Sequence, residues 1–442
     1  MKLDDLAKNV AKHYGVSISQ LARDNHLYKN QLTEQGTILF VRNPEKDVPY
    51  KTKALSALDK LIIDSLKAGK DPNCEMGLEP INLNTGNFYM SQVDAQLPEL
   101  SGTYALNRNY NSVLTEYRME FGMGWSSPFG EHLTVLPDGR ILYRRTDGKG
   151  LAFEREGKIY RAPAGYTGIL EPLEALDLET VAAEKKVITA ASPSEAKPLL
   201  ITAAAGEDEE PDDQTGSGDG VPAWKMTDPD GSIRVFDGLG FLAYSEDIKG
   251  HRTVYAYNED NELILITTPT GKEFPVTMNE DRLITEIGLP DGGTITYEYD
   301  ETMNLISVTD PMGTSRRYEY DDSHRMTAWY DENGSRVVEN VFDSEGRVIE
   351  QTDALGNTAR LEYTGGSTRV TDNRGFVTEY FYDDNYRTTS IHYPDGSKTK
   401  RSYYSAGFLE SETDELGAAL SYTYDEKGNL LRGRKPFKDY HA

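Results

Sequence analysis

An aromatic residue opens the same short phrase again and again between residues 236 and 424 of this 442-residue chain. Nine of its ten anchor positions are aromatic, one is methionine, and they lie 19 to 22 residues apart. The anchors are Phe236, Tyr257, Met278, Tyr299, Tyr320, Phe342, Tyr363, Tyr382, Tyr404 and Tyr424. A fixed period of this length is typical of repeat architectures, whose units bury their apolar faces only against their neighbours. The period therefore predicts the fold class before any local pattern is considered.

Two turn patterns in each repeat predict a β-hairpin. One follows the anchor, as in Asp343-Ser344-Glu345-Gly346, and the other comes later, as in Asp310-Pro311-Met312-Gly313. Asp in first place, Pro in second and Gly in fourth favour a type I turn. The residues between the turns are rich in Tyr, Val, Ile, Thr and Arg, which favours strands. Because side chains alternate along a strand, both rings of Tyr297-Glu298-Tyr299 point to one face, which predicts a tyrosine ladder across a long antiparallel sheet.

These phrases resemble a known family. Tandem Tyr-x-Tyr-Asp units, at 297–300, 318–321 and 422–425, are similar to the YD repeats of Rhs and teneurin-like proteins. Upstream, three ordered phrases resemble the N-terminal module of Rhs proteins, namely Glu79-Pro80-Ile81-Asn82-Leu83-Asn84-Thr85-Gly86-Asn87, Leu106-Asn107-Arg108-Asn109-Tyr110-Asn111-Ser112 and Phe121-Gly122-Met123-Gly124-Trp125. The resemblance implies hairpins that wind into a spiral shell around a C-terminal toxin domain.

The first 43 residues resemble a LysM domain. The resemblance rests on Ala11-Lys12-His13-Tyr14-Gly15-Val16-Ser17, on Leu21, Asn25 and Leu27, and on Gly36, Leu39 and Val41. It implies binding of N-acetylglucosamine polymers such as peptidoglycan, with Asn25, His26 and Leu27 as candidate glycan-binding residues. The family's first strand is missing before Leu6, and Gln35 replaces the usual proline. A divergent docking or packing module is therefore the alternative.

The patterns predict a mainly β protein, with antiparallel hairpins in a curved or spiral sheet (a partial Rhs-type shell) and a small α+β LysM-like head. Residues 164–222 are rich in Ala, Glu and Pro, with too little apolar area to offset the ordering entropy. The predicted divisions are the head (1–43), a helical linker (44–72), the Rhs N-terminal module (73–163), an acidic disordered insertion (164–222), about ten YD hairpins (223–434) and a tail (435–442).

Charge and composition restrict the partners. The chain has 47 basic and 73 acidic residues, a net charge of -26, which disfavours nucleic acid and anionic membranes because both require a positive field. The single cysteine, Cys74, cannot form an internal disulfide. No stretch has the roughly 18 apolar residues of a membrane helix, and no secretory signal opens the chain. We expect a cytoplasmic protein before export, with secretion or surface display through a dedicated secretion system.

Sequence motifs give no catalytic, cofactor or metal site. The seven histidines show no metal-ligand spacing, and there is no CxxC, HExxH, phosphate loop or nucleophile elbow. Rhs proteins release their toxin by aspartate-dependent self-cleavage at Asp-Pro phrases in a core region. Here Asp228-Pro229 and Asp310-Pro311 are in phase with the second turn of the repeat, so we interpret both as turns.

The length of the ribbon limits what it can enclose. Twenty strands about 4.8 Å apart make a ribbon about 95 Å long, or a ring about 30 Å across with about 20 Å free inside. A folded domain of about 100 residues has a diameter of about 33 Å. The repeats can therefore form part of a wall but cannot enclose such a domain alone.

The leading hypothesis is a non-enzymatic scaffold, the N-terminal part or a shortened form of an Rhs toxin shell. Its expected partner is a toxin or shell segment supplied by another chain. The alternative is a cell-surface or wall-associated carbohydrate-binding protein that uses the LysM-like head and the repeat tyrosines. An autoprotease that depends on Asp310 is a third hypothesis.

Overall fold

The computed structural model describes residues 53–70, 74–78, 80–136, 138–173, 223–258, 260–425 and 428–434. The predicted LysM-like head, most of the predicted acidic insertion and the tail lie outside these residues. One helix, α1 (Lys53–Lys67), begins the described part, where the linker helix is predicted. Leu61 and Ile62 of α1 pack against Leu136 and Leu142. Within the described residues, no helix is long and apolar enough to cross a membrane.

The rest is β-structure with two short 3-10 helices, Ser112–Leu114 and Pro128–Gly130. The strands are β1 (Met76–Gly77), β2 (Ile81–Asn82), β3 (Tyr89–Glu99), β4 (Gly102–Asn111), β5 (Arg118–Met119), β6 (Gly122–Met123), β7 (Trp125–Ser126), β8 (His132–Val135), β9 (Ile141–Arg144), β10 (Gly150–Glu156), β11 (Ile159–Arg161), β12 (Ile169–Pro172), β13 (Trp224–Thr227), β14 (Ile233–Phe236), β15 (Leu242–Glu246), β16 (Arg252–Tyr257), β17 (Leu263–Thr267), β18 (Glu273–Met278), β19 (Ile284–Gly288), β20 (Thr294–Tyr299), β21 (Leu305–Thr309), β22 (Ser315–Tyr320), β23 (Met326–Tyr330), β24 (Arg336–Phe342), β25 (Val348–Asp353), β26 (Thr358–Thr364), β27 (Ser367–Thr371), β28 (Val377–Tyr382), β29 (Thr388–His392), β30 (Lys398–Tyr403), β31 (Leu409–Thr413), β32 (Ala419–Tyr424) and β33 (Leu430–Arg434).

Strands β8 to β33 form one ribbon in which each strand pairs antiparallel with its neighbours in sequence. The ribbon is a curved, open sheet of 26 strands, which confirms the predicted fold class. It begins well before the first anchor and continues across the segment 174–222, because β12 pairs with β13 from Ile169↔Thr227 to Pro172↔Trp224.

The turns of the ribbon have the predicted type I geometry. At Asp300, the N–H of Met303 donates to the Asp300 carbonyl (3.1 Å), and Asp300 Oδ1 accepts the N–H groups of Thr302 and Asn304 (2.8 and 2.9 Å). The residue in fourth place is left-handed, as in a hairpin with a type I turn and a G1 bulge. The aspartate after the anchor therefore caps two backbone donors that the turn would otherwise leave unpaired.

Successive turns alternate between two edges of the ribbon. We call the edge with the turns that follow the anchors the first rim, and the opposite edge the second rim. On the second rim the left-handed position is always glycine, as at Gly313. On the first rim it is often another residue, such as Met303, His324 or Tyr386, with φ of 68°, 62° and 60°.

A β-bulge next to the anchor sets the register of nine of the ten repeats. The pairing shifts by one residue just before Phe236, Tyr257, Met278, Tyr299, Tyr320, Phe342, Tyr382 and Tyr424. In the ninth repeat the shift precedes Tyr403, so the anchor there is Tyr403 and the assignment to Tyr404 was wrong. Tyr363 has no bulge, because its hairpin closes through the two-residue turn Gly365–Gly366.

The ribbon winds back on itself. The N–H of Gly165, between β11 and β12, donates to the carbonyl of Ala406, between β30 and β31 (2.6 Å). These connections lie nineteen strands apart. At about 4.8 Å per strand, a coil of that length is about 29 Å across. This agrees with the ring expected from the sequence.

The concave face of the ribbon is covered by the chain itself. Residues 74–131, here called the inner layer, contain the long β3–β4 hairpin, joined by β7 in a three-stranded sheet. Its Phe88, Leu106, Tyr110 and Trp125 share one hydrophobic core with the inward side chains of the ribbon, and all four are at most 3% exposed. The main core of the molecule therefore lies between the ribbon and the inner layer.

Candidate functional site

The predicted tyrosine ladder forms a set of structural hydrogen bonds. Five hydroxyls each donate to the carbonyl fifteen residues earlier, on the preceding hairpin: Tyr257 to Leu242, Tyr299 to Ile284, Tyr320 to Leu305, Tyr363 to Val348 and Tyr403 to Thr388, at 2.6–3.1 Å. Burial raises the pKa of Tyr299 and Tyr320 well above the ordinary value, so these hydroxyls remain donors. The ladder joins neighbouring hairpins.

The repeat anchored at Phe342 has no hydroxyl to give. Its place is taken by Asn340, two residues earlier, whose Nδ2 donates to the carbonyl of Met326 (3.1 Å). Gln351 Nε2 in turn donates to Asn340 Oδ1 (2.8 Å). Asn340 and Gln351 are almost fully buried, so the amide pair replaces one tyrosine hydroxyl as the donor to the neighbouring strand.

A buried ion pair lies at the centre of the interface between the inner layer and the ribbon. Arg108 Nε and Asp94 Oδ2 are 2.8 Å apart, and the two side chains are 0% and 2% exposed. Tyr297 donates to the same carboxylate oxygen (3.0 Å), and Arg108 Nη2 donates to the Tyr318 hydroxyl (2.8 Å). The guanidinium lies 4.5 Å from the ring centroid of Trp125. Burial would lower the pKa of Arg108, but Asp94 outweighs it and the pKa is raised.

The inner layer also binds the first rim through backbone atoms. The N–H of Met123 donates to the carbonyl of Met303, and the N–H of Val348 donates to the carbonyl of Gly86. Tyr110 is bound twice, because its hydroxyl donates to the carbonyl of His324 (2.9 Å) and accepts the N–H of Met326 (2.8 Å). Each contact falls at or just after a left-handed turn position, so the turns themselves are the recognition points.

Farther along the ribbon the inner layer holds Tyr386. Asn84 Nδ2 donates to the Tyr386 carbonyl (2.7 Å) and to Thr388 Oγ1 (2.8 Å). Cys74 Sγ contacts the same carbonyl at 3.0 Å. From β28 onwards the cover is thinner: the inward rings of Tyr380, Tyr403 and Tyr422 are half-buried, whereas Tyr297 is 3% exposed.

A serine, a histidine and an aspartate meet where the tip of the β3–β4 hairpin contacts the second rim. Ser101 Oγ lies 2.5 Å from His251 Nδ1 and also bonds to Asp247, and His251 Nδ1 lies 3.0 Å from Asp247 Oδ2. In a catalytic triad the two ring nitrogens divide these roles, one facing the serine and the other the carboxylate. Here Nδ1 faces both partners, so the cluster fastens the hairpin tip and does not form a charge relay.

The candidate self-cleavage residue is part of a turn. The Oδ1 of Asp310 accepts the N–H groups of Met312 and Thr314 (2.8 and 3.0 Å), and its Oδ2 accepts the Thr314 hydroxyl (2.5 Å). Within the described part of the chain, no three His, Cys, Asp or Glu side chains are grouped so that they could hold a metal ion. The candidate glycan-binding residues Asn25, His26 and Leu27 lie outside the described residues.

Two family models match the chain. A domain of unknown function (DUF6531) matches residues 78–153, which cover most of the inner layer and the first ribbon strands. The RHS Repeat matches residues 304–336, the hairpins around Tyr320. This chain contains Rhs repeats.

A curated relative of the Rhs-repeat chain carries the Rhs name. This chain is 30% identical over 109 residues to "Probable deoxyribonuclease RhsB" of Dickeya dadantii (strain 3937). The match covers 24% of this chain and 8% of the relative, so this chain corresponds to only a small part of that protein.

Solved toxin structures show a distant likeness to the Rhs-repeat chain. The "Tc holotoxin pore" of Photorhabdus luminescens is 12% identical, with 67% of this chain and 19% of that chain covered and a TM-score of 0.29. "TcdB2-TccC3 without hypervariable C-terminal region" is 12% identical, with 79% and 22% covered and a TM-score of 0.31. At these TM-scores the likeness carries no conclusion about this chain.

Sequence reasoning missed the partners of the Rhs-repeat ribbon. Arg108 and Tyr318 are 210 residues apart, and Ser101 and His251 are 150 residues apart. No local periodicity connects such pairs. The one usable signal was Arg108 itself, a charged residue on the same strand face as Leu106 and Tyr110, which required a buried counter-ion.

Proposed function

We propose that this chain is a non-enzymatic structural scaffold, the N-terminal part or a shortened form of an Rhs-type toxin shell. The observation that carries the proposal is the inner layer, which fills the curve of the ribbon from Asp247 to Tyr386. A coil about 29 Å across has about 20 Å free between inward side chains, and the inner layer occupies that space. This part of the wall is suited to be a closed end.

The thinly covered hairpins indicate where the proposed shell would continue. From β28 onwards the concave face carries half-buried tyrosines, with Arg401 bound to Glu75 and Glu412. A wall that continued past these hairpins would enclose a space that the inner layer does not enter. We propose that a toxin or shell segment, in this chain or another, lies there.

The coding DNA beyond codon 442 provides the first test. Further Tyr-x-Tyr-Asp phrases followed by a toxin-like domain, in the same or the next reading frame, are the expected result. An unrelated gene there would argue against a shell and for a self-sufficient binding protein.

Assays of DNA cleavage and of self-cleavage test the non-enzymatic role. We expect the purified chain to leave supercoiled plasmid DNA intact with Mg²⁺ present and to give no discrete self-cleavage product during incubation. DNA cleavage, or a fragment that disappears with Asp310→Asn, would refute the non-enzymatic role. The DNA substrate is chosen because the RhsB relative is named a probable deoxyribonuclease.

The alternative function is carbohydrate binding through the LysM-like head, and it is supported by the residue pattern around Asn25, His26 and Leu27. The ladder tyrosines support it less, because their hydroxyls are bound to backbone carbonyls. Sedimentation with peptidoglycan and with chitin, with and without residues 1–43, tests it. Retention that requires residues 1–43 would favour this function, and no retention of either form would eliminate it.

A further inference from the structure

A cleft of about 270 Å³ lies where the tip of the β3–β4 hairpin meets the second rim. Glu99, Ser101 and Thr103 form the wall from the hairpin, and Ser245 and Thr253 face them from the ribbon. The cleft therefore lies between two layers that are more than a hundred residues apart in sequence. The fastening cluster of Ser101, Asp247 and His251 supplies part of its polar lining, and neither the scaffold role nor the tyrosine ladder accounts for the rest.

Of the two carboxylate oxygens of Glu99, one accepts hydrogen bonds from the protein and the other accepts none among the described residues. Its Oε1 accepts the hydroxyls of Thr268 and Thr270 (2.7 Å each) and lies 3.1 Å from Lys272 Nζ. Its Oε2 is buried and has no hydrogen-bond partner among the described residues. The side chain is 6% exposed. Leaving a buried acceptor unpaired is unfavourable, and more so for a charged one.

Glu99 remains ionised under physiological conditions. Burial opposes ionisation, but the bonds from Thr268, Thr270 and Lys272 outweigh it and lower the pKa of Glu99 to about 2. The unpaired oxygen is therefore a carboxylate oxygen, which forms its strongest hydrogen bonds with cationic donors.

The surroundings also favour a cation. Asp247 and Glu246 line the same cleft, and the whole chain has a net charge of -26. Arg234 also lines the cleft, but its guanidinium is already paired with Glu131 and Asp228. The hydroxyls of Ser245 and Thr253 can accept further N–H groups. The acidic side chains are not grouped as metal ligands, so an organic cation with several N–H donors fits better than a metal ion.

We propose that this cleft binds a primary ammonium group, from either a free polyamine or the lysine side chain of a peptide. An ammonium has three N–H donors on a compact charge, enough for Glu99 and two hydroxyls. The volume is equivalent to about nine waters at about 30 Å³ each, and it is smaller than the roughly 300–1,000 Å³ of pockets for larger ligands. An alkyl chain that ends in an ammonium matches this size.

Isothermal titration calorimetry of the full chain with cadaverine tests the proposal. We expect saturable binding that Glu99→Gln weakens about tenfold or more, because the substitution removes the charge. Binding should also weaken in about 1 M salt, where the Debye length falls to about 3 Å. Glu280→Gln is the matched control, since Glu280 is exposed on the ribbon away from the cleft.

A second ligand separates the two sources of the ammonium. Nα-acetyl-lysine amide that binds as well as cadaverine would indicate a peptide lysine, and binding of cadaverine alone would indicate a polyamine. Failure of both to bind the wild-type chain at millimolar concentration would overturn the proposal. So would equal affinity in wild type and Glu99→Gln.

A second variant that fills the cleft keeps the proposal testable if Glu99→Gln does not fold. Thr103 is exposed at the cleft, so Thr103→Trp should fill it without touching the bonds of Glu99. If Glu99→Gln melts without cooperativity, Thr103→Trp replaces it. Unchanged cadaverine affinity in a folded Thr103→Trp chain would place the binding elsewhere and refute the site.

Discussion

The hydroxyl of Tyr299 donates to the carbonyl of Ile284 at 2.7 Å, and the N–H of the same Ile284 donates to the carbonyl of Glu120 at 2.8 Å. One residue of the ribbon is thus bound on one side by the next hairpin and on the other by the inner layer. The hydrogen bond that joins neighbouring hairpins and the one that attaches the inner layer therefore share this residue. The same arrangement occurs at Val348, between Tyr363 and Gly86.

Removing one hydroxyl of the ladder should destabilise the fold measurably. Tyr299→Phe leaves the carbonyl of Ile284 without its donor, which costs about 1–3 kcal/mol for a buried acceptor. The urea midpoint of unfolding measures the effect. Tyr160→Phe is the control, because the Tyr160 hydroxyl has no hydrogen-bond partner among the described residues. An equal decrease of the urea midpoint in the two variants would contradict a stabilising role of the ladder.

A tyrosine hydroxyl at position 342 should restore part of the stability that is lost when the Asn340 amide is removed. Asn340→Leu removes the donor to Met326 and the partner of Gln351, and should lower the free energy of unfolding by about 1–3 kcal/mol. Adding Phe342→Tyr offers a hydroxyl from the anchor position. We expect the double variant to unfold at higher urea than Asn340→Leu alone, and no recovery would show that the two positions are not equivalent.

The buried ion pair should respond differently to single and double substitution. Arg108→Met leaves the buried Asp94 carboxylate with the longer ion pair to Arg316 (3.5 Å) and should cost about 3–5 kcal/mol. Arg108→Met with Asp94→Leu should cost less, because both buried charges of the pair are then removed. Arg336→Met breaks an exposed pair with Glu339 and should cost about 0–1 kcal/mol. Denaturant melts of these variants measure the differences, and a double variant worse than Arg108→Met would refute the account.

A methyl group at Gly86 should loosen the inner layer. A Cβ there would lie 2.4 Å from Arg347 Cβ, and the φ of +76° is already unfavourable for alanine. Gly313 has a similar φ of +84° but nothing within 4 Å of the added carbon. Gly86→Ala should therefore lose about 1–3 kcal/mol more than Gly313→Ala. Protease cleavage between residues 74 and 131 should increase only in the first variant.

Stability should fall on acidification in a defined range. In the turns, hydrogen bonds from Thr314 and Asn357 lower the pKa of Asp310 and Asp353 below the ordinary 3.8. A depressed pKa contributes stability above the unfolded value and loses it as pH falls through the folded value. We expect melting temperatures to be level from pH 7 to 5 and to drop below about pH 4.5, with Glu99 still contributing down to about pH 2. A chain with Asp310→Asn and Asp353→Asn should show a shallower drop, and an unchanged profile would contradict this origin.

The period, the hairpins and their turns were all predictable, because an aspartate cap and a glycine act within five residues of sequence. The exception at Tyr404 has a local reason: Tyr403 and Tyr404 are adjacent, and only the bulge decides which of them is the anchor. The inner layer was matched as a family module, but its position inside the curve was not predicted. Arg108, Glu99 and Asn84 find their partners only after the ribbon has curved, and that curvature is not visible in any one repeat.

The exchange of a tyrosine hydroxyl for the Asn340 amide has a consequence for the evolution of such chains. What these hairpins supply is a donor to a neighbouring carbonyl, and two different sequence positions can supply it. Individual units can thus drift away from the consensus while the wall remains intact. A family model built on the tyrosine phrase can then match some units better than others, and here it matches residues 304–336. Counting recognisable repeats therefore gives a lower limit to the length of a wall.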